Sequence, residues 1–123
     1  MNFPTFLLLV ALTAMLTSMP GRAAASPSVI MSCNDMVIRD GSLITVRWSG
    51  FDSQRYPVLA ITLYDSEDPA RSQMWGGSTQ AGFSVQQISG MAVTSSAGIK
   101  VCTTNKYPVC AYLSSFFSIM YAL

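Results

Sequence analysis

Three thiols, a cluster of carboxylates and a few loop aromatics are the side chains of this sequence with chemistry to offer. Cys33, Cys102 and Cys110 can close one disulfide and leave one thiol over. Histidine is absent from all 123 residues, which removes Ser-His-Asp and Cys-His nucleophile pairs and the commonest zinc ligand together. A Ser-Lys pair built on Lys100 or Lys106 would need a serine held on a nucleophile elbow, and no such motif is present. The chain is therefore expected to be no enzyme and to need no cofactor.

Asp65-Ser66-Glu67-Asp68-Pro69 gathers three carboxylates, hard oxygen ligands of the kind that hold Ca²⁺ in an extracellular loop. Their spacing lacks the Asp-x-Asp-x-Asp-Gly regularity of a dedicated calcium loop. The stretch reads as a solvated turn after a strand, with Pro69 stopping the sheet and Arg71 neutralising one carboxylate. No metal site is expected. Trp75, beside Gly76-Gly77, and the predicted loop residues Tyr56 and Tyr107 are the candidate ligand-binding side chains, because sugars stack on flat exposed aromatics. Trp75 has a second reading as a plug of the core, the role that strand parity gives to Trp48.

The elements that would position these groups begin after a leader. Phe6–Leu16 is an apolar run broken by Pro20-Gly21, and Ala23-Ala24-Ala25 supplies the small residues of a signal-peptidase site. Residues 1–25 are expected to be a cleaved signal peptide, and 26–123 the mature, secreted domain. The run is too short for a stable membrane span, which needs about 20 apolar residues. The leader holds one charge, Arg22, so 7 basic and 6 acidic residues become 6 and 6 in the mature part. A neutral surface without basic runs has no counterion-release drive toward nucleic acid, which is not an expected partner.

No segment keeps an apolar 3.6-residue period long enough for a helix. Short alternating runs dominate instead. Leu43–Trp48 sets Ile44, Val46 and Trp48 on one face; Val58–Tyr64 turns Leu59, Ile61 and Leu63 inward and Thr62 and Tyr64 outward; Ile99 and Val101 alternate with the outward Lys100 and Cys102. Further strands are expected at Val29–Ser32, Met36–Ile38, Gln73–Trp75, Phe83–Ile88, Met91–Thr94 and Ala111–Met120. Turn signals, Gly76-Gly77 and Asn105–Pro108 among them, separate the runs. The apolar tail Val109–Leu123 reads as a closing edge strand rather than a lipid-anchor signal, because its loss would expose the neighbouring strand. The expected architecture is all-β, an immunoglobulin-like antiparallel β-sandwich of about seven strands.

In that order the strands resemble the Kre/Knh-type extracellular domain of fungal Ser/Thr-rich GPI-anchored and cell-wall glucan-assembly proteins. The likeness is carried by Gly41-Ser42-Leu43-Ile44-Thr45-Val46-Arg47-Trp48, by Leu59-Ala60-Ile61-Thr62-Leu63-Tyr64, by Ala97-Gly98-Ile99-Lys100-Val101 and by Ser114-Ser115-Phe116-Phe117-Ser118-Ile119. The resemblance implies a sandwich fold and a non-enzymatic role at an extracellular surface, and it lends no catalytic residue.

For the thiols, entropy and geometry oppose each other. A Cys33–Cys102 bridge would close about 70 residues and stabilise by about 4.4 kcal/mol, against about 2.6 kcal/mol for the short Cys102–Cys110 loop. Cys102 shares the outer face with Lys100, however, and Asn105-Lys106-Tyr107-Pro108 reads as a reversal that returns Cys110 opposite it. Cys102–Cys110 is expected, with Cys33–Cys110 as the rival. Cys33 is then the thiol through which a second chain would link. The expected function is a secreted non-catalytic module for recognition or adhesion at an extracellular surface or cell wall, with a protein or glycan ligand. The alternative is a small secreted effector or inhibitor of a foreign protein.

Overall fold

Alternation of apolar and polar residues becomes eight strands in the computed structural model, which describes residues 26–122. They are β1 (Ser28–Cys33), β2 (Leu43–Ser49), β3 (Val58–Asp65), β4 (Asp68–Ser78), β5 (Phe83–Gln87), β6 (Thr94–Thr103), β7 (Cys110–Tyr112) and β8 (Phe117–Ile119). The expected leader lies outside the described residues. Among those described, no helix is long and apolar enough to cross a membrane.

Two antiparallel sheets pack face to face. One runs β1-β2-β5 and the other β4-β3-β6-β7, with β8 pairing β6 beside β7. In immunoglobulin lettering β1, β2 and β5 take the places of A, B and E, and β3, β6 and β7 those of C, F and G. The fourth strand has moved to the edge of the second sheet. The parity read from the sequence holds: Ile44, Val46 and Trp48 from one sheet meet Leu59, Ile61, Leu63, Ile99 and Val101 from the other in one buried cluster. Burying each such side chain contributes about 1.5–3 kcal/mol, which is what selects this register.

Trp48 reaches furthest across. Its benzo ring lies against Gly77 of the opposite sheet, where a methyl group would sit 3.1 Å from Cη2 and 3.1 Å from the Ile61 Cδ1. Gly76-Gly77 is therefore not the expected turn; it is strand, and Gly77 is the gap that receives the indole.

Other expectations need correction. Pro69 does not stop the sheet but lies inside β4, in the irregularity between the Asp65–Asp68 and Tyr64–Ser72 pairings where Pro69–Arg71 have no partner on β3, so a residue without an N–H leaves no ladder bond unmade. Met36–Ile38 forms no strand: Met36 is fully exposed and the segment is bend, held by the Met120 N–H donating to the Ile38 carbonyl at 2.8 Å. Met91–Thr94 contributes only Thr94, where β6 begins. The single closing strand expected over Ala111–Met120 is split by a bend at Ser114-Ser115, so β7 pairs the second half of β6 and β8 the first.

Candidate functional site

The disulfide joins Cys102 to Cys110, directly opposed residues of β6 and β7 with Cα atoms 4.1 Å apart. It lies on the outer face of the five-stranded sheet and does not bridge the sheets, so the Cys33–Cys110 rival is excluded. Cys33, half-buried at the end of β1, keeps a free thiol that donates to the Leu43 carbonyl at 3.4 Å.

One step along the same two strands, Lys100 faces Tyr112. The row continues through Thr62 of β3 to Met74 of β4, so four strands contribute to one line across the sheet. The neighbouring row sets Tyr64 directly opposite Gly98. That glycine is required by close approach: an added Cβ would lie 2.7 Å from Tyr64 Cζ and 3.1 Å from Phe116 Cε1. The Tyr64 ring thus lies across β6 in the space of the missing side chain, which Phe116 also borders.

These rows enclose a shallow open groove of about 560 Å³, lined by Thr62, Tyr64, Met74, Lys100, Cys102 and Tyr112 among others. Tyr112 is 58% exposed and Met74 68%. Burial, and then the neighbouring Tyr112, pushes the Tyr64 phenol above its ordinary range. Lys100 is half-buried and has no ion pair; the one salt bridge among the described residues is Arg71 to Asp68, 3.0 Å. The disulfide fixes the backbone of the β6–β7 pair that carries Lys100 and Tyr112, so little main-chain order is lost there on binding.

The candidates named from sequence do not converge on this groove. Trp75 lies opposite Ile61 on the inner side of β4, half-buried against the core, the second of its two readings. Tyr56 and Tyr107 belong to the β2–β3 and β6–β7 connections, at one end of the sandwich, where the Thr104 hydroxyl donates to the Val58 carbonyl at 3.4 Å. Each carries a stacked cation, Arg55 over Tyr56 and Lys106 over Tyr107, both 5.5 Å from the ring centre. Tyr56 is half-buried, its carbonyl accepting from the Thr79 hydroxyl, whereas Tyr107 is 75% exposed.

Nor do all three carboxylates of the β3–β4 turn converge: Asp65 and Glu67 border one depression, and Asp68 turns to Arg71. Asp65 is the last inward residue of β3 and is buried, contrary to the solvated turn expected. Its carboxylate accepts from the Glu67 backbone N–H and from the Ser96 hydroxyl, each at 3.0 Å. The Glu67 N–H foremost, with the Ser96 and Thr94 hydroxyls and Arg71, holds Asp65 below the usual carboxylate range despite burial. Asp68 pairs with Arg71, as expected.

Strand parity places Tyr64, Lys100 and Cys102 outward but does not join them into a site. The missing signal was register, because only the pairing of Tyr64 with Gly98 and of Lys100 with Tyr112 makes separate outward residues one surface. Comparison with family models, curated proteins and solved structures finds no match to this chain.

Proposed function

We propose that this chain is a secreted, non-catalytic β-sandwich module that recognises a protein or glycan at an extracellular surface or cell wall, through the outer face of its five-stranded sheet. The observation that carries this reading is the aromatic groove itself. Tyr64 and Tyr112 flank a half-buried, unpaired Lys100 on a surface stiffened by a disulfide. Contiguous exposed apolar and aromatic surface rimmed by polar residues is the composition of interaction sites. The disulfide supports export, since such bonds persist in oxidising compartments. The absence of histidine in the sequence supports a binding role over a catalytic one.

A glycan array and capture from extracellular extract, run with the wild type, Tyr112→Ala and Gly98→Ala, test the proposal. Tyr112→Ala removes one wall of the groove, and Gly98→Ala displaces the Tyr64 ring by its Cβ at 2.7 Å. Both variants are expected to fold and to lose the ligand. Retained binding in both would refute the assignment of the face.

One observation favours the effector or inhibitor reading. The Arg55–Tyr56 and Lys106–Tyr107 pairs sit on connections at the same end of the sandwich, as loops that bind proteins do in immunoglobulin variable domains. A protein captured from extract and released by Tyr107→Ala, with Tyr112→Ala silent, would establish it.

A further inference from the structure

We infer that the groove on the five-stranded sheet takes an acidic sugar chain, with a uronate-type carboxylate on Lys100 and adjoining pyranose faces against Tyr112 and Tyr64. The inference rests on the recognition reading above and names its ligand class.

Charge selects an anion. Lys100 is the one charged residue lining the groove, it is half-buried, and no carboxylate faces it there. The acids nearest in sequence to the lining residues are otherwise engaged: Asp65 is turned inward to Ser96, and Asp68 is held by Arg71. Glu67, the remaining one, borders a different depression, beside Thr94 and Ser118. With no carboxylate beside it, the Lys100 ammonium is free to pair with an anionic group that a ligand brings, in a charge-assisted hydrogen bond.

Shape and lining select a sugar over a peptide. The groove is open and built on the flat of a sheet, a surface on which the face of a sugar ring can lie. Aromatic and thioether surface from Tyr64, Tyr112 and Met74 lies beside the exposed Ser72 hydroxyl, which matches the apolar faces and hydroxyl edges of a pyranose. A single lysine is too little for a nucleic-acid backbone, whose recognition needs many phosphate contacts.

Isothermal titration of the full chain, with oligogalacturonate as the acidic probe, a neutral oligoglucan as control and oligoglutamate as the acidic peptide, tests the inference. Wild type, Lys100→Met, Lys100→Arg and Tyr112→Ala are compared at low and physiological salt. Oligogalacturonate is expected to bind at least about tenfold more tightly than the neutral oligomer. Lys100→Met should abolish that preference, Lys100→Arg should keep most of it, and added salt should weaken it. Equal affinity for the neutral oligomer, with Lys100→Met silent, would overturn the acidic ligand and leave the aromatic groove standing. Binding of oligoglutamate alone, lost in Lys100→Met, would overturn the sugar in favour of an acidic protein. No binding of any probe, or binding that Tyr112→Ala leaves unchanged, would overturn the inference and count against the groove as well.

Discussion

The contact between Trp48 and Gly77 is where the two sheets lock, and a double-mutant cycle measures it. In Gly77→Ala the new methyl carbon would sit 3.1 Å from Trp48 Cη2, 3.4 Å from Trp48 Cζ2 and 3.1 Å from Ile61 Cδ1. Ordinary carbon contacts lie near 3.5–4.0 Å, so indole and isoleucine must each give by several tenths of an ångström inside a packed core. Overpacking of that kind costs about 1–3 kcal/mol, reduced by the 0.5–1 kcal/mol that removing a strand glycine returns. A net loss of about 1–2 kcal/mol is expected. Trp48→Phe removes both indole atoms nearest the methyl. It also removes Nε1, a buried donor that has no hydrogen-bond partner among the described residues, so part of the lost apolar burial is offset and the single substitution costs about 1–2 kcal/mol. In the double variant the phenyl ring makes room for the methyl. Its destabilisation should fall short of the sum of the singles by about 1 kcal/mol or more, measured by urea unfolding with unchanged m-values. Additivity within about 0.3–0.5 kcal/mol would refute the packing argument and with it the inward placement of Gly77.

Removing the disulfide in Cys102→Ala/Cys110→Ala should cost about 2.6 kcal/mol by loop-closure entropy and lower the melting temperature by about 10–20 °C, read by calorimetry. Asp65 has a folded-state pKa below its ordinary value, so its contribution is in full force above about pH 4 and is lost as pH falls through the depressed value. Urea midpoints measured from neutral to acid pH should drop over that window in the wild type and drop less in Asp65→Asn. Under native, non-reducing conditions alkylation should add one label, on Cys33, and peptide mapping should return Cys102 joined to Cys110; labelling at Cys102 or Cys110 would contradict the structure. The Tyr64 phenol should ionise above the ordinary range near pH 10, and Tyr112→Phe should bring it down, followed by ultraviolet titration.

The fold was legible because its core follows the period of two: Ile44, Val46, Trp48, Leu59, Ile61, Leu63, Ile99 and Val101 alternate without interruption, and burial leaves one sensible way to stack them. The hairpin disulfide was legible for the same reason, since parity put Cys102 outside. Where sequence failed, a local signal was outvoted by pairing. Gly76-Gly77 carries the composition of a turn but is recruited by the ladder with β3, and Pro69 is tolerated because it falls in the register shift of β4 where no ladder bond is made. Asp65 has the polarity of a turn and the parity of the core; parity won once Ser96 and the Glu67 N–H were there to receive its charge. The groove was illegible because it depends on which residues of four strands stand opposite one another, and single strands do not encode that.

The claim that the outer face of the five-stranded sheet binds the ligand is tested most directly by backbone chemical-shift mapping of the full chain, titrated with the best ligand from the glycan array. The largest shifts are expected at Thr62–Tyr64 of β3, Gly98–Cys102 of β6 and Cys110–Tyr112 of β7. Shifts gathered instead around Tyr56 and Tyr107, or on the outer residues of β1, β2 and β5, would contradict it.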